Sequence, residues 1–268
     1  MSAPLNATAG HRLGAIRAAG WCAVVVVALA CAGAARAQLA TDASVEYFGW
    51  REHTSPIEVK ETGPRFGFGV GFVQPRERGL LFAYHGRVYG GSVHYSGSFQ
   101  FDETRAASGT SVYLGTTQGV ELRYRWPAAV DALAGFDFDV WRRSLSATQK
   151  EVYRIGSARF GVERPATDSS PLSAGAGMRC LVATSESATV EDAGFRYDLS
   201  LTPGLGASPF AHAGYRVAPR VTLLAYWDGM RLGRSNRVVL IRRRRPVATV
   251  SQPSSAVNTF GLGVSYRW

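Results

Sequence analysis

The last eleven residues of the chain, 258–268, constrain its fold more than any other segment. Large apolar side chains alternate with small or polar ones through the whole run. Strict alternation of this kind predicts a β-strand with one apolar face and one small or polar face. The length also matches a tilted strand that crosses a bilayer, which needs about 9–11 residues. The apolar face consists of Phe260, Leu262, Val264, Tyr266 and Trp268.

The other end of the chain is typical of a secretory signal peptide. Basic residues precede an uncharged apolar segment at 21–32, and an Ala-Arg-Ala motif follows at 35–37. This order of basic, apolar and small residues predicts export, with cleavage after Ala37. The sequence therefore predicts a cleaved signal peptide, 1–37, and a single mature domain, 38–268.

Two other interpretations of the N-terminal segment stay open. One is a membrane anchor, for which the apolar core is short, since a spanning helix needs about 20 residues. The other is lipid modification of Cys31, for which Ala28 is an unusual residue three positions earlier. Cleavage would lower the formal net charge from +10 to +7 and leave Cys180 as the single cysteine. We therefore expect no disulfide framework and no cysteine metal site.

The mature sequence consists of short alternating segments separated by turn residues, without a long apolar run that would predict a transmembrane helix. A membrane-spanning chain without helices must satisfy its backbone hydrogen bonds in a closed sheet. The pattern therefore predicts an all-β fold, a closed antiparallel up-and-down transmembrane β-barrel. Ten strands fit the sequence, and eight are the alternative if two weaker segments within 151–182 lie outside the membrane. The predicted strands are 44–51, 65–73, 80–95, 110–126, 134–142, 151–163, 172–182, 195–217, 220–232 and 258–268.

The connections between these segments alternate in length. The short ones lie at 74–79, 127–131, 164–170 and 218–219. We expect longer polar loops at 96–109, 184–194 and 233–255. Pro203 and Gly204 interrupt the eighth segment, where we expect a kink or a bulge.

Short turns on one side and longer loops on the other are typical of a barrel with both termini in the periplasm. In that arrangement Trp126 and Trp268 lie at the same, periplasmic, interface. The last strand closes the barrel by pairing with the first near Val45 and Tyr47. The agreement of the two tryptophans supports the register.

The polar faces of the predicted strands carry charges of both signs that would point into the lumen. A barrel of eight to ten strands is only just wide enough inside for side chains to fill it, and buried charges must be paired. We therefore favour a lumen closed by salt bridges over a narrow, anion-preferring channel through Arg87, Arg123, Arg125 and Arg159. The predicted lumen charges are Glu46, His85, Arg87, Glu121, Arg123, Arg125, Asp137, Asp139, Arg159, Glu163, Arg179, Asp198, His212, Arg216 and Arg267.

The signal segment, the alternating body and the terminal strand together resemble small bacterial outer-membrane β-barrel proteins of the porin-like or OmpA-transmembrane-like kind. The resemblance implies a location in the bacterial outer membrane. It also implies that the barrel-assembly machinery reads the terminal strand through its apolar face, Phe260, Leu262, Val264, Tyr266 and Trp268. We predict a structural or narrow-pore role. The alternatives are a small anion-preferring channel and an outer-membrane enzyme that acts on lipid A or on proteins.

Two patterns bear on the enzyme alternative. A His-x-Ser sequence at 94–96 is similar to the pair used by outer-membrane lipid A deacylases, but the surrounding residues of that family do not match. Ten-stranded outer-membrane proteases rely on acidic pairs and an Asp–His pair at the extracellular rim. The acidic pairs at 102–103 and 191–192 have no histidine at a recognisable spacing. We therefore predict no catalytic constellation, no metal site and no cofactor.

Four consecutive arginines in the last long loop form the strongest local concentration of charge. Guanidinium groups bind phosphates bidentately, so this run could contact lipopolysaccharide or another acidic surface. The alternative is a solvated loop in an arginine-rich protein. We expect outer-membrane lipids and lipopolysaccharide as partners and no nucleic acid. The run is Arg242, Arg243, Arg244 and Arg245.

Overall fold

The protein is described here from a computed structural model, which covers residues 38–74, 78–99, 102–127, 130–192, 194–242 and 245–268, with the backbone alone at Phe99, Asp102, Glu103 and Asp192. The predicted signal peptide, 1–37, lies outside these residues and stays a prediction. No helix in the described ranges is long and apolar enough to cross a membrane.

Thirteen strands make up the described part of the chain. They are β1 (Gln38–Glu52), β2 (Val59–Val73), β3 (Gly79–Phe99), β4 (Asp102–Arg125), β5 (Asp131–Ser144), β6 (Gln149–Arg164), β7 (Leu172–Asp192), β8 (Phe195–Leu201), β9 (Ala207–Ala218), β10 (Val221–Leu232), β11 (Val238–Arg242), β12 (Arg245–Val250) and β13 (Ser255–Arg267). Ten of them close a barrel in the order β1 to β7, β9, β10 and β13, with antiparallel pairing throughout. The predicted fold and its strand number are confirmed, and the eight-stranded alternative is wrong.

The terminal strand closes this barrel in the predicted register. In the pairing of β1 with β13, Val45 lies opposite Leu262 and Tyr47 lies opposite Phe260. Each of these side chains is more than half exposed. The strands meet in tight turns at the end that carries Trp126 and the terminal Trp268, as predicted. By the convention of outer-membrane barrels, this is the periplasmic end.

Alternation along each strand produces an apolar outer surface. The exposed side chains that form this outer belt include Val45, Tyr47, Phe66, Phe68, Leu114, Leu122, Phe136, Phe138, Phe160, Leu223, Phe260 and Leu262. Large apolar side chains remain exposed to water only at high free-energy cost, so a ring of them around a closed barrel identifies the lipid-facing surface. This architecture places the protein in the bacterial outer membrane.

On six of the strands the outer belt ends on the extracellular side at a polar or basic outward position, and all of these positions are exposed: Arg51, Lys60, Arg142, Arg154, Ser187 and Arg231. On β4 the belt extends further, through the exposed Leu114, which pairs with Arg142, and Val112. Of the six polar or basic positions, we call the five basic ones, which exclude Ser187, the basic collar. Inward-facing residues at or above the collar therefore lie beyond the hydrocarbon layer. Those below it lie in the membrane-spanning part.

The extracellular half differs from the prediction in three places. The expected loop at 96–109 is mostly an extended hairpin, because β3 continues to Phe99 and β4 begins at Asp102. The expected loop at 184–194 is largely strand, since β7 runs to Asp192 and pairs with β8. The expected loop at 233–255 contains the hairpin β11–β12. Above the membrane an antiparallel pair can be solvated, so strands need not end at the lipid boundary.

The eighth predicted strand is interrupted at Pro203 and Gly204, as expected from its sequence. Its two halves, β8 and β9, both pair with β7, but β8 pairs with the extracellular part and β9 with the periplasmic part. The first half therefore leaves the barrel wall. It packs with the β11–β12 hairpin through a buried apolar cluster of Ala188, Val190, Leu199, Leu201 and Leu240.

Candidate functional site

The centre of the lumen is built around Glu46, which is 2% exposed. Arg65 donates to its carboxylate at 2.9 Å, and Arg87 and the hydroxyl of Tyr226 bind it as well. The Arg65 guanidinium also stacks on the ring of Phe48, 4.2 Å from its centroid. This tier of the lumen is filled by one acid, two bases and aromatic rings, without room for a wide passage.

A second tier surrounds Asp137, a carboxylate that is 1% exposed. His85, Arg159 and Arg179 contact it at 3.3, 3.3 and 3.2 Å. Arg179 also contacts Asp228 on β10, two strands further around the barrel, at 2.9 Å. Because each base has a carboxylate partner, this tier is held together across the lumen.

A third tier lies nearest the periplasmic end. Arg123 binds Glu121 and, at 2.7 Å, Glu163. His212 lies 3.5 Å from the same Glu163 carboxylate. Toward the rim, Arg125 makes a two-pronged contact with Asp131, with both nitrogen–oxygen distances at 2.8 Å.

The structure brings the predicted lumen charges together. The set His85, Arg87, Glu121, Arg123, Arg125, Asp137, Asp139 and Arg159 lies inside the barrel, where Asp139 accepts a hydrogen bond from Thr117. The prediction for Asp198 was wrong. This residue lies on β8, outside the barrel wall, and its exposed carboxylate binds Arg196. It was misassigned because the alternation of inward and outward side chains was extended from the barrel wall to a segment that leaves the wall.

A cluster that the sequence analysis missed lies at the extracellular mouth, which we call the mouth cluster. Arg143 is 1% exposed and binds three carboxylates, those of Glu52, Glu61 and Glu151, at 2.9, 2.7 and 2.9 Å. A fourth carboxyl group, Glu186, completes the cluster and is also 1% exposed.

The neutral groups of the mouth hold this cluster in place. Tyr113 and Ser111 donate hydrogen bonds to Glu61, and Tyr153 donates to Glu151. Trp50 donates to Glu52, and its ring lies 4.8 Å from the Arg143 guanidinium carbon. Most of these donors are aromatic, so the cluster is both hydrogen-bonded and shielded from water.

The carboxyl groups of the mouth cluster outnumber its cations four to one. Burial, together with the nearby charge of Glu151, raises the pKa of Glu186 to about 9. Burial also raises the pKa of Glu151, against the opposing effect of Arg143. Glu186 is therefore protonated at neutral pH in the unliganded protein.

A cavity of about 610 Å³ opens directly above the mouth cluster. We call it the mouth cavity. Its floor is formed by Glu52, Arg143, Glu151 and Glu186, and its walls by the apolar cluster that joins β7 and β8 to the β11–β12 hairpin. Gln252, which follows the hairpin, donates to Glu52 at 3.1 Å and ties the hairpin to the floor.

Part of the mouth cluster could have been found from the sequence. Glu52 is an even number of positions from the inward-facing Glu46 on β1, so alternation places it on the same face. Glu61 is likewise an even number of positions from the inward-facing glycines of β2. Extending the alternation beyond the predicted strand ends would have placed both inside. Glu186 could not be found in this way, because β7 contains a bulge near Val182 that reverses the parity of every later residue.

Of the residues of the enzyme alternative, the structure describes the side chains of His94, Ser96 and Glu191. His94 and Ser96 both lie on the outer face of β3 and are exposed. Among the described side chains, the histidine–acid pairs are His85–Asp137 and His212–Glu163, which lie in the lumen rather than at the extracellular rim. The side chains at 102–103 and at 192 lie outside the described part of the structure.

The arginine run is only partly described. The Arg242 guanidinium lies 3.8 Å from the ring centroid of Phe195, and the residue lines the mouth cavity. Arg245 is exposed at the start of β12. Arg243 and Arg244 lie outside the described residues, so their contact with lipopolysaccharide stays a prediction.

No protein-family model and no curated protein matches the sequence. Among solved structures, the chain is similar in fold to the outer membrane protease OmpT from Escherichia coli, with a TM-score of 0.52 and 9% sequence identity over 86% of this chain and 97% of that one. The translocator domain of the autotransporter NalP from Neisseria meningitidis gives a TM-score of 0.47 and 9% identity over 86% and 88% of the two chains. At this identity the likeness to OmpT concerns the fold alone.

Proposed function

We propose that this protein is an outer-membrane barrel whose lumen is closed to solutes and ions, with a structural role in supporting its extracellular mouth. The observation that carries the proposal is the cross-lumen pairing in the membrane-spanning tiers. Glu46 and Asp137 are each bound by cationic side chains from other strands, and each is at most 2% exposed. These contacts occupy the axis along which a permeating ion would pass.

The free space at the centre of the lumen supports the same proposal. A cavity of about 60 Å³ lies between Arg65, Arg179 and Asp228. A space of this size holds only a few water molecules. A hydrated ion would have to displace paired side chains, and breaking a buried pair costs about 3–5 kcal/mol.

The anion-preferring channel is the competing proposal, and the pairing of the arginines weighs against it. Arg87, Arg123 and Arg159 each contact a carboxylate inside the barrel. A selectivity filter for anions needs cationic groups whose charge is available to the permeating ion. Here the positive charge is largely neutralised by neighbouring acids.

Solute entry into proteoliposomes tests the closed lumen. We expect vesicles containing the wild-type barrel to exclude small sugars as well as empty vesicles do. The matched variant combines Glu46→Ser, Arg65→Ser, Arg87→Ser, Asp137→Ser, Arg159→Ser and Arg179→Ser, which removes the paired charges around both Glu46 and Asp137. This variant should admit the solutes if it remains heat-modifiable on a denaturing gel. Entry into wild-type vesicles at the rate of this variant would contradict the proposal.

We propose lipopolysaccharide as the partner of the basic collar as well as of the arginine run. Arg142, Arg154 and Arg231 are exposed just beyond the outer belt, where phosphates of the outer leaflet would lie. Arg51 and Lys60 share the neighbouring Glu58, at 3.3 and 2.8 Å, which lowers their availability. Lipopolysaccharide should raise the thermal stability of the wild-type barrel more than that of an Arg142→Gln/Arg154→Gln variant. An equal gain with dephosphorylated lipopolysaccharide would argue against phosphate contacts.

A further inference from the structure

The mouth cluster contains one acid that its own contacts do not satisfy. The Oε2 atom of Glu186 is buried and has no hydrogen-bond partner among the described residues. By contrast, Arg143 is shared by Glu52, Glu61 and Glu151. A buried polar atom without a partner is destabilising, and more so when the group is charged. Such an atom calls for an explanation, and a bound molecule that completes it is one.

The space above Glu186 has the size and the lining of a ligand site. A volume of about 610 Å³ lies within the range of about 300–1,000 Å³ that is usual for small-molecule sites. Its walls carry the apolar side chains of Val190, Leu199, Leu201 and Leu240. An apolar wall above a charged floor suits a molecule with an apolar body and a single polar end.

The charge of the floor specifies the sign of that polar end. With Glu186 protonated, three other carboxyl groups still share one guanidinium group, so an added cation would reduce the imbalance whereas an added anion would increase it. A metal ion is a poorer candidate, because the described residues contain no group of three or more His, Cys, Asp or Glu side chains arranged to hold one.

We propose that the mouth cavity binds an organic cation with an apolar body, whose ammonium or guanidinium group pairs with Glu186 while the body packs against the β7–β8 wall and the β11–β12 hairpin. The site lies beyond the outer belt, so a ligand reaches it from the extracellular side. The inference goes beyond the closed lumen, since the cavity lies above the paired tiers and does not depend on them.

Proton release gives this binding a specific signature. Glu186 is protonated in the unliganded protein, and a bound ammonium group favours its ionised form, so the proton passes to the buffer. The other titratable or charged groups that face the cavity or its floor are Glu52, Glu61, Tyr95, Tyr113, Arg143, Glu151, Tyr153, Tyr197 and Arg242. Glu191→Gln is a matched control, because Glu191 is an exposed acid on the same strand.

The test uses the mature barrel in lipid nanodiscs and two probes of equal shape, 4-phenylbutylamine and its neutral analogue 4-phenylbutan-1-ol. Isothermal titration at neutral pH, with empty nanodiscs subtracted, measures both affinities. Repeating the titration in buffers of different ionisation enthalpy measures the released protons. We expect the amine to bind at least about tenfold more tightly than the alcohol, since a charge-assisted contact contributes more than about 1.4 kcal/mol.

The variants separate the charge contact from the apolar fit. Glu186→Gln should lower the affinity for the amine about tenfold and abolish proton release, while the alcohol binds as before. Glu191→Gln should change neither. Equal binding of the two probes, absence of amine binding, or an unchanged amine affinity in a folded Glu186→Gln barrel would each overturn the proposal. Heat-modifiable migration of every variant confirms that it is folded.

Discussion

Replacing Arg143 by glutamine should destabilise the barrel more than almost any other single substitution of a charged residue. The side chain is 1% exposed and holds three carboxylates within 2.9 Å. Removing one partner of a buried ion pair typically costs about 3–5 kcal/mol, because the opposite charge remains buried and uncompensated. Here three acids lose their shared partner, whereas access of water from the mouth cavity limits the cost. We therefore expect a loss of about 3–5 kcal/mol at neutral pH.

The measurement compares Arg143→Gln with Arg142→Gln in detergent micelles. Arg142 is the preceding residue on β5 and points outward, exposed to solvent. Its replacement should change stability by no more than about 0.5 kcal/mol, as is usual for surface sites. Denaturant unfolding followed by tryptophan fluorescence gives the free energies, and the temperature of the gel-mobility shift gives an independent ranking.

The unfolding free energies of the same two variants, measured at lower pH, provide a second test. Burial raises the pKa of Glu151 against the opposing effect of Arg143, so this carboxyl group takes up a proton on acidification and no longer needs a cation. The deficit of Arg143→Gln should therefore shrink on acidification. If the two variants were equally stable, or if the deficit did not depend on pH, the assigned role of Arg143 would be refuted.

Three further substitutions test other parts of the structure. Burial raises the pKa of Glu186 to about 9 in the folded barrel, against 4.5 in the unfolded chain. The protonated carboxyl group therefore contributes its full stabilisation below pH 4.5 and loses it as the pH rises through 9. Glu186→Gln should flatten the decline of the unfolding free energy between these two pH values. Leu240→Ala should cost about 2–5 kcal/mol and speed proteolysis of the β11–β12 hairpin, whereas replacement of the exposed Ile241 should not. Gly177→Val should prevent folding, because its Cβ would lie 2.2 Å from the backbone oxygen of Phe160, whereas Gly109→Ala meets open space and should fold. A folded Gly177→Val barrel on unboiled gels would contradict this packing.

The barrel and its register were predictable because apolar and polar side chains alternate with a period of two along the strands. The three glycines at 67, 69 and 71 on β2 face a crowded lumen. A Cβ at Gly67 would lie 2.7 Å from the Arg87 guanidinium, and one at Gly71 would lie 3.0 Å from a backbone oxygen of β3. The alternation is regular in the membrane-spanning strands because each residue there faces either the hydrocarbon of the lipid or the filled lumen.

The extracellular half was less predictable because no lipid constrains it. Polar residues at 184–192 indicated a loop, yet β7 continues there as a strand since β8 folds back to pair with it. The pairing depends on a long-range contact with the β11–β12 hairpin, through Leu240, that no local pattern records. The mouth cavity lies within this part of the chain, which explains why the site was missed while the lumen charges were found.

Electrical recording in planar bilayers tests whether the lumen is closed. The wild-type barrel should insert without producing stable current steps, because the tiers around Glu46 and Asp137 block the axis with paired charges. The variant that lacks the paired charges around both Glu46 and Asp137 should produce steps under the same conditions. Stable, anion-selective currents through the wild-type protein would contradict the closed lumen and favour a channel.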